Sequence, residues 1–344
     1  MMKTSDFDYF LPDDFIAQSP ASPRDHSKLL VFDTVSGVVS HRRFYDLPNL
    51  LKPDDVLILN RSKVIPARVL FNYRGRECEI FLLKEIDPGV WNVLTRPGKF
   101  FSPGTEIEIR KDHKVEVIGV EDDGSRTIRA DFDIIQFGQT PLPPYIKSTK
   151  SDDSDYQTVY AKERGSVAAP TAGLHFTDKL LSDLQNKKID VEEIILHVGL
   201  GTFLPVKSEF VQDHRMHSEE FEIPSETLKS LNNAVAEKKR IVAVGTTSVR
   251  ALESSFDSNP NDMNYFPSRF GSTDIYIYPG YKWKVVDGMI TNFHLPKSTL
   301  LMLVASFLEH KGIESPVKKL LELYETAKEQ DYRFYSFGDA MLIL

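Results

Sequence analysis

Several segments of the chain combine histidine, asparagine, threonine and glycine with an adjoining apolar run, a pattern typical of ligand-binding corners in enzymes. In TNFHLPKSTLLMLV, residues 291–304, Asn292 and the pair Phe293–His294 precede an apolar helix that Ser298 is expected to cap. An imidazole held beside a rigid helix can accept or donate a proton near neutral pH. We therefore predict that His294 is an acid/base residue and that Asn292 and Phe293 contact a substrate.

A second aromatic–histidine pair occurs in AAPTAGLHFT, just before a helix that Thr177 is expected to cap. A single histidine is more often a structural group than a catalytic one, but two such pairs at element ends favour a shared site. We predict an acid/base role for His175. The candidate substrate contacts of this segment are Thr171, Gly173 and Phe176.

The segment IVAVGTTSVR predicts a buried strand over residues 241–247 that leads directly into a helix. Free amides of a first helical turn can bind an anion, and an arginine fork suits a carboxylate or phosphate. An N-capped helix with Arg250 in a structural ion pair is the competing interpretation. The candidate ligand contacts are Gly245, Thr246, Thr247, Ser248 and Arg250.

Two further segments carry weaker signals. In HVGLGTF the glycines could let a flat group approach the backbone, with Phe203 as a stacking face, although a plain β-turn explains them equally well. Candidate contacts there are Gly199, Gly201, Thr202 and Phe203. In HRMHSEEFEIP, His214, His217 and Glu219 are too irregularly spaced for a zinc motif. We expect no metal, and assign His217 and Glu219 to acid/base or orienting roles.

Composition limits the class of protein. A length of 344 residues suggests two domains, and one cysteine, Cys78, excludes a disulfide framework and a thiolate zinc site. The polar N-terminus is unlike a signal peptide, and the longest apolar run, 300–308, is too short to span a bilayer, so we expect a cytoplasmic protein. The net charge of -8 argues against nucleic acid. Residues 61–111, however, hold ten Lys/Arg against six Asp/Glu, and such a basic face can bind phosphates.

The predicted elements fall into two groups. Residues 67–132 contain six short strands separated by turn signals, which favours a closed barrel or a sandwich. The remainder alternates strands (56–60, 191–197, 241–247, 275–278) with helices (177–188, 225–239, 298–310, 316–329), which favours a mostly parallel or mixed sheet with helices on both faces. We predict an α/β/α layered body, residues 1–66 and 145–344, with an inserted six-stranded antiparallel β-barrel at 67–144.

Eight segments, in this order, resemble the S-adenosylmethionine:tRNA ribosyltransferase-isomerases of queuosine biosynthesis. They are RDHSKLLVFD, VAAPTAGLHFT, LHVGLGTFLPV, HRMHSEEFEIP, VGTTSVRALES, TDIYIYPGYKW, TNFHLPKSTLLMLV and YRFYSFGDAMLI. The resemblance extends from about Asp8 to Leu344. It implies the same two-part fold and a reaction in which S-adenosylmethionine, as cosubstrate and ribosyl donor, modifies tRNA that carries 7-aminomethyl-7-deazaguanine at the wobble position. The implied products are epoxyqueuosine-tRNA, adenine and methionine, with no permanently bound cofactor.

For that reaction we expect His175, His217 and His294 to form the acid/base pool, with Glu219 orienting a histidine or facing the sulfonium. Aromatic rings would stack on adenine or face the cation. We expect a monomer that contacts no membrane. The expected contacts of the tRNA backbone are the basic residues of the barrel region, Lys63, Arg68, Arg74, Arg76, Arg96 and Lys99.

The chain departs from the family pattern at two positions. Arg61 stands where the family usually has Asp, and Leu204 where a polar or basic residue is common. We expect Arg61 to add positive charge at the mouth of the barrel. Two alternatives stay open from the sequence: an RNA-binding module without catalysis, and a different S-adenosylmethionine enzyme that acts on a small molecule. Release of adenine, and its dependence on tRNA, distinguishes them.

Overall fold

The computed structural model describes residues 1–147, 153–199, 206–257 and 265–344, and in these ranges the strands form one large mixed sheet and one smaller antiparallel sheet. Along the chain the strands are β1 (Lys28–Phe32), β2 (Val39–Arg43), β3 (Val56–Asn60), β4 (Ser62–Val64), β5 (Arg68–Tyr73), β6 (Arg76–Asp87), β7 (Val90–Arg96), β8 (Glu106–Arg110), β9 (His113–Val120), β10 (Arg126–Ala130), β11 (Glu163–Ser166), β12 (Asp190–Leu196), β13 (Glu219–Glu222), β14 (Ile241–Val244), β15 (Phe270–Thr273), β16 (Gly288–Asn292) and β17 (Ala340–Ile343). The helices are α1 (Leu47–Leu50), α2 (Asp178–Asn186), α3 (Ser225–Ala236), α4 (Gly245–Ser255), α5 (Thr299–His310) and α6 (Pro316–Glu329).

The large sheet has the order β15-β13-β12-β3-β14-β16-β17-β1-β2. Its centre, β12-β3-β14-β16, is parallel, while β17 runs antiparallel to β16 and β13 antiparallel to β12. The fully buried run of β3 is typical of a parallel strand covered on both faces. The predicted mixed sheet is confirmed.

Helices cover both faces of this sheet. Alternate residues of β3 point to opposite sides, so that Ile58 packs in a core with α3, α4, α5 and α6, whereas Leu57 packs in a second core with α2. Hydroxyl caps fix two of these helices: Thr177 accepts from the amide of Leu180, and Ser298 accepts from the amide of Leu301. The predicted α/β/α layering is therefore present.

The smaller sheet has the order β5-β6-β7-β10-β9-β8, and all six predicted strands are found. Its end strands β5 and β8 share no backbone ladder, but the Arg110 guanidinium of β8 donates to the Leu70 carbonyl of β5 over 3.0 Å. The sheet is thus a nearly closed antiparallel barrel around its own apolar core. We keep 67–144 as the proposed extent of the inserted domain. None of the helices in the described part of the chain is long and apolar enough to cross a membrane.

Three local predictions are wrong. Residues 275–278 form no strand, because β15 ends at Thr273 and the Ile275 carbonyl accepts from the Arg250 side chain instead of from a neighbouring strand. The strand predicted over 241–247 stops at Val244, since α4 begins at Gly245. A serine at the start of an apolar-periodic run predicts a helix cap at Ser225, but Ser225 is the first residue of α3 and Pro224 precedes it.

We predict that Gly138→Ala destabilises the fold, because the chain returns from the barrel past Pro66 at this glycine. A methyl group there would lie 1.7 Å from the Pro66 carbonyl oxygen, which belongs to the backbone and cannot rotate away. The free energy of unfolding should fall by about 1–3 kcal/mol or more in urea denaturation. Gly119→Ala is the control, since its methyl group meets only ordinary contacts at 3.6–3.8 Å. Equal losses in both variants would contradict the proposed backbone clash.

Candidate active site

The strand directions bring the ends of distant segments to one edge of the large sheet. The parallel strands β12, β3, β14 and β16 finish at this edge, and β2 finishes there as well. The strands β13, β17 and β1 run in the opposite direction. As a result β1, β13 and β17 begin there. Ligands of open α/β sheets bind beyond such an edge.

A cavity opens at this edge, beside the end of β14 and the end of β16. Its polar wall contains the predicted residues Thr171, Gly245, Thr246, Thr247, Asn292 and His294. The rest of the wall consists of Tyr145, Tyr156, Ala168, Ala169, Pro170, Ala172, Val198, Thr291, Leu300, Tyr335 and Ser336. Three segments whose chemistry was expected from sequence therefore share one cavity.

The α4 corner presents unused polar groups to the cavity. Gly245 has φ +84°, which lets the backbone turn from β14 into the helix. No side chain caps α4, so its first amides keep their hydrogens available. The Thr247 hydroxyl is buried without a hydrogen-bond partner among the described residues. Ser248 does not line the cavity, and its hydroxyl donates to the Val244 carbonyl over 2.8 Å.

His294 is buried in the cavity wall, with its ring anchored on one side. Its Nε2 lies 2.7 Å from the Thr291 hydroxyl, and its backbone amide donates to the Tyr324 hydroxyl over 3.0 Å. No described residue forms a hydrogen bond with its Nδ1. Burial lowers the pKa of His294 to about 3, so the ring is neutral at physiological pH.

His175 is buried beside the cavity wall but does not line it. The Asn292 amide donates to its Nε2 over 3.4 Å, which places the ring hydrogen on Nδ1, where the Ser27 hydroxyl lies 2.8 Å away. Asn292 in turn accepts from the Thr171 hydroxyl over 2.8 Å. Burial, with the charges of Arg333 and Arg24 adding to it, lowers the pKa of His175 to about 3. His175 thus contacts the cavity wall through Asn292.

The two remaining acid/base candidates lie apart from the cavity. Glu219 is buried in an ion pair with Arg250 and also accepts from the Gly199 amide over 3.0 Å. The Arg250 guanidinium further donates to the carbonyls of Thr273 and Ile275, each over 3.3 Å. The structural ion pair, which the sequence left as an alternative for Arg250, is the arrangement found. His217 is exposed, and together with His214 and Glu219 it forms no metal-binding group in the described residues.

The predicted aromatic contacts are core residues. Phe293 is fully buried among Tyr324, Tyr332 and Phe334, with ring centroids 5.0–5.6 Å apart. Phe176 is equally buried, and Gly173 is needed because a methyl group there would lie 1.9 Å from the Tyr160 hydroxyl. Gly201, Thr202, Phe203 and Leu204 lie outside the described residues.

Sequence reasoning missed the aromatic part of the cavity wall, which consists of Tyr145, Tyr156 and Tyr335. The Tyr145 hydroxyl is hydrogen-bonded to Ser336, and the Tyr145 ring meets Tyr335 at a centroid distance of 3.9 Å. Tyr335 has φ +74°, a left-handed conformation that is uncommon away from glycine. The aromatic motif YRFYSF was the available signal, but it gave no indication of which ring faces the cavity.

The basic residues of the barrel region differ in whether a carboxylate pairs with them. Arg96 and Lys99 are exposed with no carboxylate within 4.0 Å among the described residues, whereas Arg68 pairs with Glu79 over 2.9 Å. Arg74 and Lys99 lie over the rings of Tyr73 and Phe100, 5.1 and 5.4 Å from the centroids. Arg76 is also exposed, and Lys63 is half-buried in β4.

The expectation that Arg61 adds free positive charge is wrong. Its guanidinium pairs with Glu163 over 3.2 Å and with Glu193 over 3.3 Å. Lys162 binds the same Glu193 over 2.8 Å. Two carboxylates therefore balance two cations at this position, and Arg61 is not available to a phosphate.

Comparisons with known proteins agree on one family. The model of the family described as "Queuosine biosynthesis protein" matches residues 4–343. An S-adenosylmethionine:tRNA ribosyltransferase-isomerase of Thermosipho africanus is 48% identical over 99% of this chain and 100% of its own length, and one of Thermotoga maritima is 47% identical over 100% of both. A crystal structure of the S-adenosylmethionine tRNA ribosyltransferase of Thermotoga maritima matches with a TM-score of 0.56 and 37% identity, covering 99% of this chain and 100% of that one.

We predict that the Glu219–Arg250 pair stabilises the fold. Arg250→Met leaves the buried Glu219 carboxylate without a counter-charge and should lower the free energy of unfolding by about 3–5 kcal/mol. Adding Glu219→Gln should recover a large part of that loss, because the unpaired charge is removed. The measurement is a double-mutant cycle by urea denaturation. Additive losses in the double variant, or an Arg250→Met protein as stable as the wild type, would show that the pair does not stabilise the fold.

Proposed function

Because the chain belongs to the queuosine biosynthesis protein family, we propose that it is an enzyme that transfers and isomerises the ribosyl group of S-adenosylmethionine onto tRNA. The acceptor is the 7-aminomethyl group of 7-aminomethyl-7-deazaguanine at the wobble position, and the products are epoxyqueuosine-tRNA, adenine and methionine. One observation carries this proposal: a neutral His294, the uncapped end of α4 and a set of tyrosines line the same cavity.

The α4 corner would bind the carboxylate of the methionine moiety. The free amides at Gly245, Thr246 and Thr247 carry the positive end of the helix dipole. The unpartnered Thr247 hydroxyl supplies a further donor. Arg250, which was a candidate for this role, is replaced in the proposal by these groups because its charge is already paired.

The tyrosines would face the sulfonium. Among the described residues, no Asp or Glu lines the cavity, so the cation of the cosubstrate meets aromatic rings and hydroxyls instead of a carboxylate. Rings of Tyr145, Tyr156 and Tyr335 can stabilise a positive charge through their faces. This replaces the expectation that Glu219 faces the sulfonium.

His294 would act as the base. When its Nε2–H donates to Thr291, the lone pair of Nδ1 is left toward the cavity. The sulfonium acidifies the adjacent C5′–H, whose proton passes to Nδ1. The electron pair left on C5′ forms a C4′–C5′ double bond as the C4′–O4′ bond of the sugar breaks, and the freed oxygen forms a C1′ carbonyl as the bond to adenine breaks and adenine takes up a proton. The tRNA amine adds to C4′ and loses a proton, C5′ closes the carbon ring on the C1′ carbonyl, and the resulting C1′ oxygen forms the epoxide at C5′ as methionine leaves with the electrons of the C–S bond.

His175 would serve as a positioning residue. Its ring and the Thr171 hydroxyl hold the Asn292 amide in one orientation, so that Asn292 presents its remaining hydrogen-bonding capacity to the ligand. His217 is outside this arrangement because it is exposed and absent from the cavity wall.

We predict that His294→Ala lowers the single-turnover rate of adenine release by about 10²–10⁴-fold while retaining affinity for S-adenosylmethionine. Since the pKa of His294 is lowered to about 3, wild-type His294 is neutral throughout pH 5–8, and the ratio of wild-type to variant rate should stay constant over that range. His217→Ala is the control and should keep the wild-type rate. A ratio that falls below pH 6.5 would mean a normally titrating base, and unchanged turnover in His294→Ala would exclude His294 from the chemistry.

The tRNA backbone would bind to cations of the barrel and of the adjoining strand β4. Lys63, Arg68, Arg96 and Lys99 remain the proposed contacts, and Arg96 and Lys99 are the strongest because both are exposed and lack carboxylate partners among the described residues. Arg68 shares its charge with Glu79. Binding through phosphates makes affinity fall with added salt.

We predict a steep decrease of tRNA affinity with salt, and a shallower slope for Arg96→Gln/Lys99→Gln. Each lost phosphate contact should reduce the slope of log K against log salt by about 0.7–0.9. The matched control is Lys187→Gln/Lys318→Gln, which neutralises two exposed lysines of the α/β/α body. Filter binding at several salt concentrations gives the slopes. Equal slopes for the two double variants would exclude this face of the barrel as a tRNA-binding surface.

A further inference from the structure

The outer edge of the large sheet at β2 is basic. The last three residues of β2, His41, Arg42 and Arg43, are exposed, and Lys28 of β1 lies directly opposite Arg43. None of the three long cationic side chains has a carboxylate within 4.0 Å among the described residues. The Lys28 ammonium donates to the carbonyls of Gln330 and Asp331, at the end of α6. Lys28, Arg42 and Arg43 thus keep a net positive charge on a chain whose overall charge is -8.

Two exposed rings adjoin these cations. Tyr45 is 46% exposed, and the exposed ring of His26 meets it at a centroid distance of 5.1 Å. The Arg43 guanidinium donates to the His26 carbonyl over 2.9 Å, which holds the charge beside the rings. Two acids lie close to these cations: the Asp46 carboxylate accepts from the Arg43 backbone amide over 3.0 Å, and the Asp339 carboxylate accepts from the Lys28 backbone amide over 2.8 Å. Exposed flat rings among arginines are the features that bind unstacked nucleotides.

The same segments also reach the cavity. Ser27, which follows His26, lies 2.8 Å from Nδ1 of His175, and Phe44, which precedes Tyr45, stacks on the His175 ring at 4.9 Å. His175 in turn contacts Asn292 of the cavity wall. The buried residues Ser27 and Phe44 therefore support the candidate active site, while their neighbours His26 and Tyr45 face solvent. A nucleotide on Tyr45 would be connected to the cavity through Phe44, His175 and Asn292.

We propose that His26, Lys28, Arg42, Arg43 and Tyr45, here called the β2 surface, bind a single-stranded RNA nucleotide adjacent to the base that enters the cavity. Tyr45 stacks on that nucleotide, and Arg42 and Arg43 contact its phosphates. The inference rests on the proposed function, because it assumes that the RNA presents a base to the cavity. The β2 surface would be a second area of RNA contact besides the barrel, and it lies on the large sheet.

Protection of an edge strand explains part of the β2 surface, because charged side chains prevent edge-to-edge association. That explanation does not account for an exposed tyrosine beside the charges. The opposite edge, β15, offers a comparison: Arg269 lies over the 63% exposed Phe270 at 5.2 Å, but it is paired with Glu222 over 3.0 Å. Glu163, Glu220 and Glu222 line the adjoining groove. The β15 edge therefore has similar side chains, but its own arginine is paired, and in the groove three carboxylates outnumber the one arginine, Arg164.

The test uses the full chain and an anticodon stem-loop RNA that carries the 7-aminomethyl-7-deazaguanine base. Tyr45→Ala should raise the Kd of this RNA by roughly 5- to 150-fold, the range for loss of one stacked base. Tyr45→Phe should bind nearly as wild type, because the ring is retained. Arg42→Gln/Arg43→Gln should reduce the salt slope by about 1.4. The matched controls at β15, Phe270→Ala and Arg269→Gln, should leave both quantities unchanged.

Affinity for S-adenosylmethionine, measured by calorimetry, should be the same in all these variants and reports an intact cavity. If Tyr45→Ala and Arg42→Gln/Arg43→Gln bind the RNA like the β15 controls while the wild-type enzyme still modifies it, the β2 surface is excluded and the proposed function stands. If the wild-type chain neither binds nor modifies this RNA, the proposed function itself fails.

Discussion

The arrangement of this molecule depends on burying many polar groups at one edge of the large sheet, where each must find a partner. A buried polar group without a hydrogen bond costs about 1–3 kcal/mol, and an unpaired charge costs more. The chain meets this requirement with long-range pairs: Asn60 bonds both the amide and the carbonyl of Leu196, and Glu219 pairs with Arg250. Among the buried groups that lack a partner in the described residues, the Thr247 hydroxyl lines the cavity. The paired groups thus support the site, and this hydroxyl is left to bind a ligand.

The same requirement explains which parts of the fold could be predicted. Strand β3 was predictable because a run of four apolar residues before Asn60 fits a parallel strand covered on both faces, and the barrel strands alternate clearly. The segment 275–278 has an equally good strand pattern, but the Arg250 side chain donates a hydrogen bond to the Ile275 carbonyl. That contact joins residues 25 positions apart, and no local pattern contains it. Local periodicity therefore predicts an element only where a distant side chain does not compete for its backbone.

The candidate site shows a similar division. Gly245, Thr247, Asn292 and His294 could be found from sequence because their segments end strands that converge at one edge. The position of His175 behind the cavity wall could not be predicted from sequence, because it depends on a contact with Ser27, 148 positions earlier in the chain. The paired arginines show the same division: residue type predicted added positive charge at the barrel mouth for Arg61 and anion binding for Arg250, and carboxylates supplied by other segments neutralise both. Charge becomes a binding property only when the fold leaves it unpaired.

A cavity without a carboxylate among its described wall residues suits a reaction in which positive charge moves. The proposed base starts neutral and the sulfonium starts positive, so proton transfer from carbon relocates one charge and creates no new one. A nearby Asp or Glu would stabilise the sulfonium before reaction and thereby raise the barrier, since only interactions stronger in the transition state accelerate a step. The low pKa of His294 has the same origin as its fixed position, namely burial against Thr291 and Tyr324. Burial makes this imidazole a weak base in the free protein, and it also keeps the ring free of a proton and pointed at one place, where the bound sulfonium supplies an acidified C–H.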